Sequence, residues 1–181
     1  MKRFALGSSL SFRGRTFQGL SGFEGKPFHP PFTDIPVGAY VIAPVLDVIA
    51  FIGRDETWGA EASTAARYTF LVGAAFSVLT VVTGFSDWLR MRAGSEVRRI
   101  TNSHALTMIV VSVLVVIDLV VRFGSDEDRT GAGLMILGLV ILGVVTLGSA
   151  IGGSLVFDKG YKVRTRMTPP KPEAPAPTEN G

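Results

Sequence analysis

Four stretches of this chain run for close to twenty residues with almost no charge, and that limits what it can fold into. They are Ile35–Gly53, Tyr68–Phe85, Ile100–Val121 and Gly131–Phe157. A helix needs about 20 apolar residues to cross about 30 Å of hydrocarbon. A helix in a soluble bundle would show polar residues every third or fourth position along its outer face. "AFSVLTVVTGF" and "LMILGLVILGVVTLG" have no such face. Inside lipid every backbone N–H and C=O must be bonded within the segment, so spans of this kind are helices. The expected fold is all-α, a four-transmembrane-helix bundle with spans at about 35–53, 68–85, 100–121 and 131–157.

The threading follows from charge. The N-terminal region, the loop 86–99 and the region after Phe157 share one side of the membrane, called X here. They carry five, four and five Lys and Arg, which is 14 of 18. The opposite side, Y, receives Arg54, Arg67, Arg122 and Arg129 together with six acids. Basic loops stay in the cytoplasm, so X is read as cytoplasmic, with both termini inside, in a multi-pass protein of the inner (plasma) membrane. The same flanking pattern accounts for a pI near 9.5 without a nucleic-acid partner. No stripe of basic residues interleaved with aromatics is present.

Residues 1–26 read as a retained polar arm. Lys2 and Arg3 precede an apolar run interrupted by serines and closed by Arg13 and Arg15, unlike a cleaved signal. Residues 27–162 hold the transmembrane domain. Residues 163–181, with "TPPKPEAPAPTEN", cannot bury enough apolar surface to offset their ordering entropy and are expected to be disordered. With no cysteine, the chain has no disulfide, thiolate nucleophile or iron–sulfur ligand of its own.

Small residues mark the expected helix contacts. Gly73, Ser77, Thr80 and Gly84 share one face of the second span, which continues to Asp87 and Trp88, and Gly148–Gly153 forms a patch on the fourth. Acids in a span cost about 2.5–3.5 kcal/mol and face the interior. Asp47, on the face of Tyr40 and after a kink expected at Pro44, and Asp118, four residues before Arg122, should therefore point inward near Y. Arg67 and Arg122 are the expected partners. A proton relay is the alternative.

At 100° per residue, His104, Val111, Val115, Asp118 and Arg122 lie within about 40° of one line. His29 precedes Pro30 and Pro31, which should hold it in extended geometry ahead of an N-cap at Asp34. His29, Asp87 and His104 thus meet at X from three helix ends. They include the chain's only two histidines.

"FHPPFTDIPVGAYVIAPVLD", "TGFSDWLR", "SHALTMIVVSVLVVIDLVVR" and "GGSLVFDKG" together resemble an uncharacterised bacterial family of four-helix membrane proteins, across roughly residues 25–162. The resemblance implies His29, Asp47, Asp87, Trp88 and His104 as positions of interest. It also implies a setting near Rieske-type iron–sulfur domains, to which some members are fused or beside which they are encoded. It implies no established activity.

Three functional readings follow. The first is a non-catalytic membrane subunit or scaffold, whose partners are the lipid bilayer and another membrane subunit. The second is a membrane redox component in which His29 and His104 hold b-type haem or line a quinone site, with Asp87, Trp88, Arg98 and Arg99 around it and a separate redox protein as partner. Haem iron accepts two imidazoles from different helices. The third is a small metal site of His29, Asp87 and His104. An ordinary hydrolase or phosphate-loop enzyme is disfavoured: Ser103 and His104 diverge by 100° on the helix, and no phosphate-cradling loop is present.

Overall fold

The computed structural model describes residues 11–12, 15–125 and 129–163. The first ten residues and the proline-rich tail beyond Val163 lie outside these. Four helices form the domain: α1 His29–Ile52, α2 Thr57–Arg90, α3 Glu96–Gly124 and α4 Ala132–Phe157. Each is long and apolar enough to cross a membrane.

Each helix matches the apolar run expected of it to within one residue at Gly53 and Gly131, which are caps, and α1, α2 and α3 extend past it by several residues. At 1.5 Å per residue α2, with 34 residues, is about 50 Å long. It overshoots the hydrocarbon by several turns, and its Y-side start, "TWGAEASTAARY", is polar enough to stand in water. α3 opens with a cap, the Ser95 side chain accepting from the Arg98 N–H at 3.2 Å. Glu96 sits in its first turn, where the positive end of the helix dipole favours an acid.

α1 corrects one expectation. His29 is its first residue, and Pro30 and Pro31 follow inside the first turn. No extended lead-in precedes an Asp34 cap. The first-turn N–H groups of a helix have no intrahelical acceptor, so prolines cost little there. The helix also runs on through Pro36 and Pro44. Pro36 leaves the carbonyl of Phe32 without its usual donor, and the Thr80 hydroxyl of α2 supplies one at 2.9 Å.

α1 packs on α2 and α4, and α3 packs on the same two, so α1 and α3 stand diagonally across the bundle. Tyr40, Ala43, Phe70, Val111, Val115, Ile141 and Val145 fill the middle. α2 comes close to α1 because Gly73 offers no side chain: a Cβ there would lie 2.7 Å from the Tyr40 ring. The Tyr40 hydroxyl shares a 2.9 Å bond with Ser77. Because Ser77 donates its own proton to the Gly73 carbonyl, the phenol is the donor. Most of the apolar surface faces outward, as a lipid-solvated bundle requires.

Part of the N-terminal arm is folded. Ser11–Phe12 pairs with Arg15–Thr16, and a 3-10 turn, Gly19–Ser21, rests on α2. Phe17, Phe23, Phe28 and Phe32 form a chain of ring contacts 5.2–6.4 Å apart that ties this module to the start of α1. At Gly22 the backbone turns with φ +81°, and a Cβ would strike the Lys26 carbonyl at 2.6 Å.

Candidate functional site

Polar groups collect at both ends of the bundle, with the apolar layer between them. At the Y end Arg122 is the hub. Its Nε donates to Asp118 Oδ2 at 2.6 Å and its Nη2 to Asp47 Oδ2 at 2.7 Å. All three side chains are essentially inaccessible, at 2% or less. Thr130 donates to Asp47 Oδ1 at 3.2 Å and shares a 2.9 Å bond with Ser63. The guanidinium also lies over the Phe70 ring, 5.2 Å from its centre.

Both acids therefore point inward, as the cost of an acid in lipid requires. Asp47 bonds Arg122 and Thr130, whereas the expected Arg67 has its guanidinium over the Phe123 ring at 5.7 Å. Gly138 makes room for the arrangement: a Cβ there would come 2.8 Å from Asp47 Oδ2. No buried side-chain nitrogen or oxygen among the described residues lacks a partner.

At the X end the two histidines meet. Their ring centres are 6.3 Å apart, with planes at 82°. His29 Nδ1 lies 3.0 Å from the Thr80 carbonyl of α2, and His104 Nδ1 lies 2.9 Å from the Gly148 carbonyl of α4. A carbonyl only accepts, so each Nδ1 carries a proton. In the neutral ring that leaves the Nε2 lone pair as the acceptor or ligand atom. Each ring also lies against a glycine of the helix that it bonds, His29 on Gly84 and His104 on Gly152.

Asp87 is at this end but is otherwise engaged. Its Oδ1 takes a 2.6 Å bond from Lys162 in a pair 15% and 8% exposed. Lys162 also reaches the Ser21 carbonyl at 3.4 Å, and Tyr161 bonds the Asp87 carbonyl at 3.5 Å. The segment after α4 thus folds back over the X end beside His29, whose titratable neighbours are His104, Asp87 and Lys162. Burial first, and the Asp87 charge second, hold the Tyr161 phenol above its ordinary range. Among the described residues no three His, Asp or Glu side chains are grouped to hold a metal, so the set of His29, Asp87 and His104 is not assembled as such.

Trp88 and Arg98 build the α2–α3 corner. Arg98 stacks on the indole at 3.6 Å and donates to the Trp88 and Met91 carbonyls, and the indole N–H bonds Asn102 at 2.7 Å. Arg99 lies one position further along α3, its N–H bonded to the Ser95 carbonyl. The sequence indicated which side chains gather at X. It did not indicate the two carbonyls that orient the histidines, nor Lys162.

The fold and its interior polar residues define a four-helix integral membrane protein. The chain belongs to the DUF2231 family of predicted membrane proteins, whose model matches residues 25–165. No curated protein and no solved structure matches it.

Proposed function

We propose that this protein is a non-catalytic membrane subunit in which His29 and His104 would hold a b-type haem for electron transfer. The observation that carries the reading is the 6.3 Å spacing of the imidazole rings. Two imidazoles bound end-on to one metal at about 2.0–2.1 Å, each nitrogen about 1.1–1.2 Å from its ring centre, put those centres about 6.2–6.6 Å apart. The tautomer agrees, since Nδ1 is committed to a backbone carbonyl in both rings, the usual way of fixing a metal-bound histidine.

The two imidazoles come from the diagonal pair α1 and α3, and each ring packs on a glycine of the neighbouring helix, His29 on Gly84 and His104 on Gly152. When bound, the haem supplies one-electron chemistry. The protein supplies two oriented imidazoles, a layer of apolar side chains on the Y side, and the Asp87–Lys162 pair at the mouth.

The division of Lys and Arg supports X as the cytoplasmic side of the plasma membrane, with both termini inside. An electron partner would then be a separate redox protein or membrane subunit at that surface. Single cysteines introduced into this cysteine-free chain test the orientation. Labelling by an impermeant reagent in intact cells should occur at loop 54–56 and fail at residue 93.

The haem reading is tested by expressing the protein with ample haem supply and recording its spectrum after purification. A Soret band with a low-spin reduced spectrum, lost in both His29→Ala and His104→Ala, is expected. A colourless protein that takes up no haemin on titration would sink the reading.

A further inference from the structure

The two histidines are held by the same device, built twice. His29 bonds the carbonyl of residue 80 and lies on the glycine at 84; His104 bonds the carbonyl of residue 148 and lies on the glycine at 152. In each case carbonyl and glycine are four residues apart on one helix. Helix geometry explains the spacing. The carbonyl of residue n accepts the N–H of residue n+4 and keeps a second lone pair. The side chain of n+4 leans toward the helix N-terminus and covers the turn containing that carbonyl. Only glycine at n+4 leaves the second lone pair open to an incoming ring. A Cβ on Gly84 would lie 2.7 Å from His29 Cε1 and 2.9 Å from Nδ1; one on Gly152 would lie 2.9 Å and 3.0 Å from the same atoms of His104.

We propose that Gly84 and Gly152 are positioning residues of the two-histidine site, each uncovering the backbone carbonyl that fixes one imidazole in its Nδ1–H tautomer and presents Nε2 as the ligand atom. Each hairpin, α1–α2 and α3–α4, then contributes one complete ligand unit, and a bound group joins the two halves of the chain. The consequence for cofactor affinity rests on the haem reading. The consequence for the tautomer does not.

With only two histidines in the chain, 15N-histidine labelling gives two resolvable rings in nanodiscs, assigned with His104→Gln. Above the imidazole titration range, the wild type should show both rings protonated on Nδ1. Gly84→Ala should return His29 to a mixture of tautomers and leave His104 unchanged; Gly152→Ala should do the reverse. Gly143→Ala, on α4 where a Cβ meets nothing within 4 Å, should change neither.

Haemin titration of the same samples should show each of the first two variants weakened about 10–100-fold, the usual scale for losing a partner that orients a ligand. Wild-type rings protonated on Nε2, or tautomers unmoved by Gly84→Ala and Gly152→Ala, would overturn the proposal. If either variant fails to fold, the wild-type tautomers decide it alone. Expected tautomers in a protein that takes up no haemin would sustain the positioning role and end the haem reading.

Discussion

The two ends of this bundle are built from similar materials and finished differently. At Y, Arg122 joins Asp118 on its own helix to Asp47 on α1, and Thr130, itself bonded to Ser63, meets the other Asp47 oxygen. At X, two imidazole rings each use Nδ1 on a backbone carbonyl and keep Nε2 for something else. A closed set of charges holds helices together. A pair of oriented lone pairs is a place to bind. Tyr40, Phe70, Val115 and the rest of the apolar layer separate the two.

Substitutions that strike the two ends should therefore fail in different ways. The largest effect belongs to Arg122→Ala. It leaves two buried carboxylates without their cation, at a cost of about 3–5 kcal/mol, seen as loss of assembled protein or a steep fall in resistance to denaturing detergent. Asp47→Asn keeps an acceptor and should cost less than Asp47→Leu. Wild-type stability in Arg122→Ala would erase the distinction between the ends. His29→Ala and His104→Ala should show the opposite signature: haemin binding is abolished, while thermal stability falls by about 1 kcal/mol, the worth of one hydrogen bond.

Between them stands Tyr40→Phe, which removes the phenol bond to Ser77 and should also cost about 1 kcal/mol, with haemin binding kept. Lys162→Ala should be smaller again. It breaks the pair with Asp87 while retaining a backbone at φ +57°, whose strain is about 1–2 kcal/mol for any residue but glycine. Lys162→Gly loses the same pair and relieves that strain, so it should be the milder of the two in thermal unfolding. The smallest effect is that of alkali. Because the folded Tyr161 is raised, its contribution is complete below the unfolded phenol pKa and declines as pH climbs toward the folded one. Tyr161→Phe should flatten that decline.

The four spans were legible because lipid tolerates so few sequences, and the inward faces of α2 and α3 followed from helical spacing. Thr80, Asp87, Val111, Val115, Asp118 and Arg122 are all buried as that spacing requires. The meeting of His29 with His104 followed from topology alone. What stayed hidden depends on register between helices, which hydrophobic pattern does not encode. The bond from Thr130 to Asp47 is of this kind. Gly138, outside the Gly148–Gly153 patch that spacing marks on α4, becomes the seat of Asp47. The helix starts at His29 because a first turn tolerates proline, which here outweighs the extended preference of a residue before proline.

The hydroxyl that Thr80 lends to Phe32 has a consequence for biosynthesis. α1 leaves the ribosome before α2 exists, and until then the Phe32 carbonyl has no donor in a helix already lacking the amide of Pro36. The same neighbour later offers His29 its carbonyl. The first ligand of the site therefore acquires its orientation only after the second span has entered the membrane, and a nascent chain halted within α2 before Thr80 would carry the histidine without its setting.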